Sequence, residues 1–365
     1  MNILIDAAAA YQYHSTGIGA YAAELINAVK KLSPAERISL HTGNAIVPGD
    51  ASLIRSETRT DFWERIHNGD PIDDRPFDLY HNLHNGIAMK GGARKTVVTI
   101  HDMIPYILPQ YCGSPYREIF LAETRNAAEQ ADMVITVSQN SKGDILRFTD
   151  VPEEKIRVIY EAPKRFCRPL PEKMTEDFLR SKYGICPPFF LYVGGFNRRK
   201  NVAGLIRGYA KICRQLPKIC PLVIAGKEGS RRFEAEQLGE NLGITPYLRF
   251  VGHVPDGDLP FFYSRCEALI YPSFYEGFGL PPIEAAACGA AVITSNRSSL
   301  PEVMVDAALY IDPDRPEDIG EKILAVATDK DLKQKMQRKA LARAATFSYE
   351  ETARRTLTIY ENLCR

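Results

Sequence analysis

Short apolar runs recur along this chain, each leading into a polar or glycine-bearing turn and then a stretch with helical spacing. Ile3-Leu4-Ile5 opens the pattern and stops at Asp6. Similar runs at 38–41, 77–80, 96–100, 131–138 and 156–160 read as strands in the first half. Runs at 189–193, 222–225, 248–251, 268–270 and 291–294 continue the series in the second half. Between them apolar residues repeat at intervals of three and four, as Tyr21, Leu25, Ile26, Val29 and Leu32 do. Helices are predicted over 22–31, 140–148, from 202, and over 231–242, 258–266, 316–328, 331–345 and 348–363. Strands alternating with helices imply parallel sheets covered on both faces, so the fold class is α/β.

The alternation is broken once. From Glu161-Ala162-Pro163 to Leu170-Pro171 the chain turns repeatedly and carries prolines, which suits a domain linker. At 365 residues the chain exceeds what one small core holds, and two domains are expected. The predicted division is 1–165, 166–346 and a terminal helical stretch at 347–365.

One string concentrates the candidate chemistry: Tyr271-Pro272-Ser273-Phe274-Tyr275-Glu276-Gly277-Phe278-Gly279-Leu280-Pro281-Pro282-Ile283-Glu284. It follows a buried strand and runs into a helix whose first turn accepts Pro281 and Pro282. Gly277 and Gly279 let backbone pass close to a ligand. The opening of the helix offers free N–H groups to an anion or to sugar hydroxyls. Glu276 sits in the loop and Glu284 a turn into the helix. Two acceptor-only groups in one crevice suit a ligand with two separated sets of hydroxyls, such as a sugar and a ribose.

A second string, Gly194-Gly195-Phe196-Asn197-Arg198-Arg199-Lys200-Asn201, links the strand at 189–193 to a helix from Val202. Glycines followed by cations at a helix entrance form an anion site through both N–H groups and fixed charge. In the first half, the strand at 96–100 ends in His101-Asp102-Met103-Ile104-Pro105. Polar residues at a parallel strand's C-terminal end fall in the ligand crevice. Asp102 is placed either to orient His101 or to anchor the loop. His81 and His84 read as a polar strand-end loop rather than a metal pair, since no third ligand suggests itself. Gly17 and Gly19 precede the first helix; the loop is too long, and the second strand ends in His41, so a nicotinamide-dinucleotide fingerprint is rejected. Residues 43–76 carry few apolar positions. They read as a mobile segment at the cleft mouth touching acceptor or lipid, or else as a surface helix that buries Trp63, the single Trp.

Charge is balanced, with 46 basic and 45 acidic residues, which argues against nucleic acid as a partner. Eight cysteines without a Cys-x-x-Cys spacing imply free thiols in a reducing, cytoplasmic compartment rather than a disulfide scaffold or zinc module. Met1 leads directly into a strand, so no signal peptide is expected. No stretch of eighteen apolar residues exists, so no span is predicted, while peripheral membrane contact stays open.

Glu276-x7-Glu284 with Gly-Phe-Gly-Leu-Pro between them resembles the signature of retaining glycosyltransferases of family 4. The resemblance implies the GT-B fold: two Rossmann-like doubly wound domains facing a central cleft, the last helix crossing back onto the first domain. It implies that Glu276 holds the donor sugar and Glu284 the nucleotide ribose. Phe278, Gly279 and Leu280, between these two, complete that stretch of the donor site. It implies that Arg199 and Lys200 face the donor diphosphate. This chain has Gly195 where many relatives carry an Arg, so Arg198 stays a candidate beside Arg199. Gly17 and Gly19 would approach the diphosphate, His101 would lie near the anomeric carbon, and the backbone from Gly252 to Val254 would hold the base. Ser138 and Ser141 look like the family's serine and helix cap after the strand at 131–138; capping suffices for Ser141.

Asp256-Gly257-Asp258 and Asp312-Pro313-Asp314 spell the Asp-x-Asp of metal-dependent enzymes of a different fold, but both precede helices, where Asp is an expected cap. No metal and no cofactor are expected. The leaving diphosphate would be stabilised electrostatically, with retention by front-face departure and attack. The opening Ile-Leu-Ile-Asp, His-Asp-x-Ile-Pro and Arg-Lys-Asn are most similar to bacterial mannosyltransferases of O-antigen and exopolysaccharide assembly. The expected donor is a nucleotide sugar, GDP-mannose first, then UDP-glucose, UDP-galactose or another GDP-sugar. The expected acceptor is a saccharide or polyprenyl-diphosphate-linked saccharide. A nucleotide-holding module without transfer and an epimerase on the same fold are the competing classes; intact Glu276, Glu284, Lys200 and His101 argue against the first, and missing extra acid–base carboxylates against the second.

Overall fold

The computed structural model describes residues 1–12, 16–33, 38–41, 46–48, 77–87 and 93–365. The chain forms two compact units, residues 1–161 with 348–365, and residues 162–347.

Among the described residues the first unit has seven strands in the order β3-β2-β1-β4-β5-β6-β7. They are β1 (Ile3–Asp6), β2 (Ile38–His41), β3 (Ile46–Pro48), β4 (Phe77–Asn82), β5 (Ala93–Ile100), β6 (Met133–Thr136) and β7 (Ile156–Val158). All neighbours are parallel except β2 and β3. The antiparallel β3 lies within 43–76, where no strand is expected from the sequence. The rest of that segment, Trp63 included, is outside the described residues.

Two local expectations are corrected here. Gly17 and Gly19 are not in a loop ahead of the helix but form the first turn of Gly17–Leu32, because Thr16 caps it and takes the Gly19 N–H at 3.1 Å. Ser138, not Ser141, caps the helix Gln139–Phe148; its oxygen accepts from Ser141 N, while the Ser141 hydroxyl donates to His101 O at 2.9 Å. The terminal helix Tyr349–Cys364 belongs to this unit and packs on Gly17–Leu32. Thr352 donates to Tyr160 O, and Tyr360 buries its ring edge-on to His81.

The second unit is a six-stranded, wholly parallel sheet in the order β10-β9-β8-β11-β12-β13. Its strands are β8 (Phe190–Val193), β9 (Leu222–Ala225), β10 (Leu248–Gly252), β11 (Leu269–Tyr271), β12 (Val292–Ser295) and β13 (Leu309–Ile311). The helix Glu172–Tyr183 precedes it and carries little periodic signal, since only Thr175 and Leu179 of it are buried and the apolar stripe is thin. The helices Val202–Ile212 and Pro316–Thr328 approach closely where Gly208 faces Gly320. A side chain on Gly208 would reach within 2.4 Å of the Pro316 carbonyl.

The strand order reverses between β8 and β11. Ligands of doubly wound sheets bind outside the carboxyl ends of strands at such a switch point. The two strands flanking it deliver the two candidate strings, Gly194 to Asn201 from β8 and Pro272 to Glu276 from β11.

Candidate active site

The cationic turn is held in place from both ends. Arg198–Lys200 forms a single 3-10 turn opened by Asn197, whose side chain accepts from Arg199 N at 2.9 Å. Asn201 then takes a left-handed conformation with φ 56°, caps Val202–Ile212 through Gly204 N, and donates to Pro313 O at 2.7 Å. Left-handed backbone suits Asn better than most residues. Arg198 points outward and is exposed, whereas Arg199 and Lys200 turn inward.

Both inward cations meet Glu276. Arg199 Nη1 lies 2.8 Å from Glu276 Oε2, and Lys200 Nζ lies 2.7 Å from Oε1. Tyr271 OH donates to Oε1 at 3.0 Å and accepts from Lys200 at 2.6 Å. Ser298 Oγ accepts from the Glu276 N–H, and Ser299 Oγ donates to the carbonyls of Glu276 and Phe278. Burial alone would raise the Glu276 carboxyl, but Arg199 and then Lys200 outweigh it and hold it near 2. Two cations against one carboxylate leave the cluster one net positive charge, half-buried, at the switch point.

The signature helix is Leu280–Ala287, entered through Gly279 at φ 102°. A Cβ on Gly279 would also sit 2.6 Å from Leu300 Cδ2, so both conformation and space require glycine. The helix is a poorer anion site than expected, because Pro281 and Pro282 remove two of the N–H groups in its first turn. Phe278 is 3 % exposed and packs edge-on against Phe347, so its side chain fills the interior of this unit. Leu280 is likewise buried.

Glu284 is fully enclosed. Tyr263 OH lies 3.4 Å from its Oε2 and Lys164 Nζ lies 3.4 Å from its Oε1. Lys164 also pairs with Asp256 at 2.9 Å, in the loop that follows Gly252 and the buried Val254. Gly252 itself has φ 73°, and its carbonyl accepts from Gly226 N. Burial and then Asp256 raise the Glu284 carboxyl, and Lys164 opposes them. Asp256 is thus not a cap. Asp258 stands at the N-cap position of Leu259–Arg265, but its side chain makes no capping bond and takes Lys182 and the Tyr183 hydroxyl instead. Asp312 and Asp314 share Arg297. Among the described residues no group of three His, Cys, Asp or Glu side chains is placed to hold a metal ion.

In the first unit His101 is buried at the end of β5, and both ring nitrogens face acceptors. Nδ1 is 3.0 Å from Glu161 Oε1 and Nε2 is 2.9 Å from the Leu83 carbonyl. A carbonyl cannot donate, so Nε2 carries a proton, and the Glu161 carboxylate favours a second one on Nδ1. Burial would lower the imidazole's pKa, but Glu161 and the Leu83 carbonyl raise it above the ordinary value. Asp102 does not orient the ring; it accepts from Ile104 N at 3.0 Å and anchors the loop. His81 is engaged by Tyr360 and Thr99, and His84 lies 4.0 Å from Asp6. Sequence reasoning missed Glu161, Lys164 and Tyr263, which no local signal marks, since each meets its partner only through the fold; Tyr271 opens the signature string, but its hydroxyl is not evident there as a partner of Glu276 five residues on.

Residues 19–162 match the family model Glycosyltransferase Family 4, and residues 176–343 match Glycosyl transferases group 1. The chain belongs to glycosyltransferase family 4. It is similar to O-antigen chain mannosyltransferase B of Escherichia coli, 28% identical over 99% of this chain and 100% of that protein. It is also similar to the serotype-specific mannosyltransferase WbdA of Escherichia coli, 32% identical over 71% of this chain, though it spans only 32% of that longer protein. Among solved structures it resembles sucrose-phosphate synthase from Thermosynechococcus elongatus, with a TM-score of 0.76, 19% identity and coverage of 99% and 98% of the two chains. The fold is GT-B. Among the described residues no helix is long and apolar enough to cross a membrane.

Proposed function

We propose that this glycosyltransferase is a retaining mannosyltransferase. It moves mannose from GDP-mannose to a saccharide or polyprenyl-diphosphate-linked acceptor in cell-surface polysaccharide synthesis, on the cytoplasmic side of the membrane. The observation that carries the reading is the Arg199–Glu276–Lys200 cluster at the switch point of the second unit. Its net positive charge suits the diphosphate of an activated sugar, and its carboxylate suits that sugar's hydroxyls. The Lys200 and Arg199 charges stabilise negative charge as it grows on the leaving diphosphate. Glu284 takes the ribose hydroxyls, and the backbone of Gly252 and Val254 takes the base. His101 and the first helical turn at Gly17 and Gly19 serve the sugar and the diphosphate from the first unit. The names of the two E. coli relatives favour mannose over glucose or galactose.

The test is a thermal-shift panel of GDP-mannose, UDP-glucose, UDP-galactose and other GDP-sugars, followed by transfer assays with the best binder. A bound donor raises the melting temperature by mass action. Stabilisation by GDP-mannose with transfer of mannose at retained configuration is expected. Selective stabilisation by a UDP-sugar assigns a different donor, and hydrolysis or binding without transfer to any saccharide acceptor overturns the transferase reading of the site.

A further inference from the structure

We propose that Lys164 is a positioning residue for the nucleotide end of the donor site, holding Glu284 aligned and anionic for the ribose hydroxyls and tying it to the loop that follows β10. The proposal rests on the ribose reading of Glu284 given above.

Lys164 comes from the segment that joins the two units, far in sequence from Asp256 and Glu284. Its side chain is 11% exposed, and its ammonium bridges Asp256 at 2.9 Å and Glu284 at 3.4 Å. It therefore connects the strand-end loop assigned to the base with the helix assigned to the ribose. Glu284 Oε1 is buried and makes no well-aligned hydrogen bond within the chain, with Lys164 Nζ 3.4 Å away, so a lone pair of this carboxylate is left unsatisfied. A buried carboxylate held this way accepts from a ribose diol only while it is ionised.

The groups facing Glu284 are Lys164, Asp256, Tyr263 and Cys167, with Cys288 beside Cys167 and Tyr263. Burial and Asp256 favour its neutral form, and Lys164 is the one cation among these groups that opposes them. Burial would in turn strip the proton from Lys164, but Glu284 and Asp256 outweigh it and keep the ammonium charged. Removing the Lys164 charge should move Glu284 toward protonation. Wherever the pH lies below its titration point, each tenfold rise in its proton affinity cuts the ionised fraction about tenfold.

The experiment measures binding of GDP and UDP, and of their 2′,3′-dideoxy forms, to the full-length wild type, Lys164→Gln and Lys164→Arg at pH 8 and pH 6. The ribose contact is read as the ratio of affinities between each nucleotide and its dideoxy form. A hydrogen bond to a charged group should make that ratio about tenfold or more in the wild type at both pH values. Lys164→Gln should shrink the ratio toward one at pH 6 and less at pH 8, and Lys164→Arg should restore it. A second variant, Asp256→Asn, alters only a partly exposed partner and removes a charge that favours neutral Glu284, so it should keep or widen the ratio at pH 6. A Lys164→Gln protein that keeps the wild-type ratio, or weakens both forms equally at both pH values, overturns the role of Lys164. If Lys164→Gln does not fold, a ratio that collapses in Asp256→Asn overturns it instead. A wild type that binds ribose and dideoxy forms alike overturns the ribose reading of Glu284 itself, and this inference falls with it.

Discussion

Lys200 Nζ donates to Glu276 Oε1 across 2.7 Å, so the cation assigned to the diphosphate and the carboxylate assigned to the sugar are partners of one another. The pairing follows from topology. β8 and β11 are neighbours at the switch point, and the loops leaving their carboxyl ends converge there. Arg199 completes the cluster from the other carboxylate oxygen. Neutralising Glu276 in this way lets two cations sit close together without bound anion, and it fixes the carboxylate's direction before any sugar arrives.

Because the residues touch, their contributions to transfer are coupled. Lys200→Ala should lower kcat by about a hundredfold, the effect of removing one donor to a growing oxyanion. Glu276→Gln should be comparably damaging, since it leaves two half-buried cations without their counter-ion. The double variant should lose less than the two single losses combined, with a coupling of about 1 kcal/mol or more. Steady-state transfer assays on the four proteins at saturating donor check this, and strictly additive losses would show that the pair does not act as a unit.

The same cluster sets an acid limit on stability. The Glu276 carboxyl is lowered from 4.5 to about 2, so its folded form binds protons less readily than its unfolded form. Stability from this group is therefore complete above about pH 4.5 and is lost as pH falls toward 2. At about 1.4 kcal/mol for each tenfold change in proton affinity, the contribution is about 3 kcal/mol. Urea titrations of the wild type from pH 6 to pH 2.5 should show this loss, and Glu276→Gln should lack most of that slope while being less stable at pH 6.

The parts of this site that were legible from sequence are those carried by one continuous string. Glu276, Glu284, Arg199 and Lys200 each stand beside a strand end and a helix start, so local order places them at the carboxyl edge of a sheet. What was illegible is the pairing. Glu161 meets His101 across 60 positions, and the sequence offered adjacent Asp102 for that role, which instead ties down its own loop. Lys164 reads as part of a linker until the fold lays it on Glu284. The Phe278 ring packs against Phe347, a residue 69 positions later whose proximity no periodicity reveals.

His101 gives a prediction of opposite sign to Glu276. Its folded pKa is raised, so the stability it contributes is full below the ordinary value of 6.5 and is lost as pH rises through the folded value. Glu161→Gln keeps the shape of the pair and removes the charge that retains the proton. The stability gap between wild type and Glu161→Gln should therefore be widest near pH 6 and should narrow toward pH 9. Nitrogen-15 spectra of the imidazole should show both ring nitrogens protonated in the wild type at pH 7, and a single protonated nitrogen, Nε2, in the variant. A wild-type ring with a bare Nε2 would contradict the bond to Leu83.

The entrance to the signature helix can be dissected with one further pair. Gly279 combines φ 102° with a Cβ direction that runs into Leu300 at 2.6 Å. Gly279→Ala should cost roughly 2 to 4 kcal/mol, from backbone strain of about 1–3 kcal/mol plus the steric contact. The far end of Leu300 is a flexible side chain, so its share is removable. Leu300→Ala alone should be destabilising, because that side chain is fully buried and leaves a cavity. In the double variant the methyl introduced at position 279 occupies part of that cavity. The combined loss should then be smaller than the sum of the single losses by the steric share, while the strain remains. Thermal unfolding of the four proteins measures both contributions. Additive losses would show that the Leu300 contact is relieved by a backbone shift and that Gly279 is required for conformation alone.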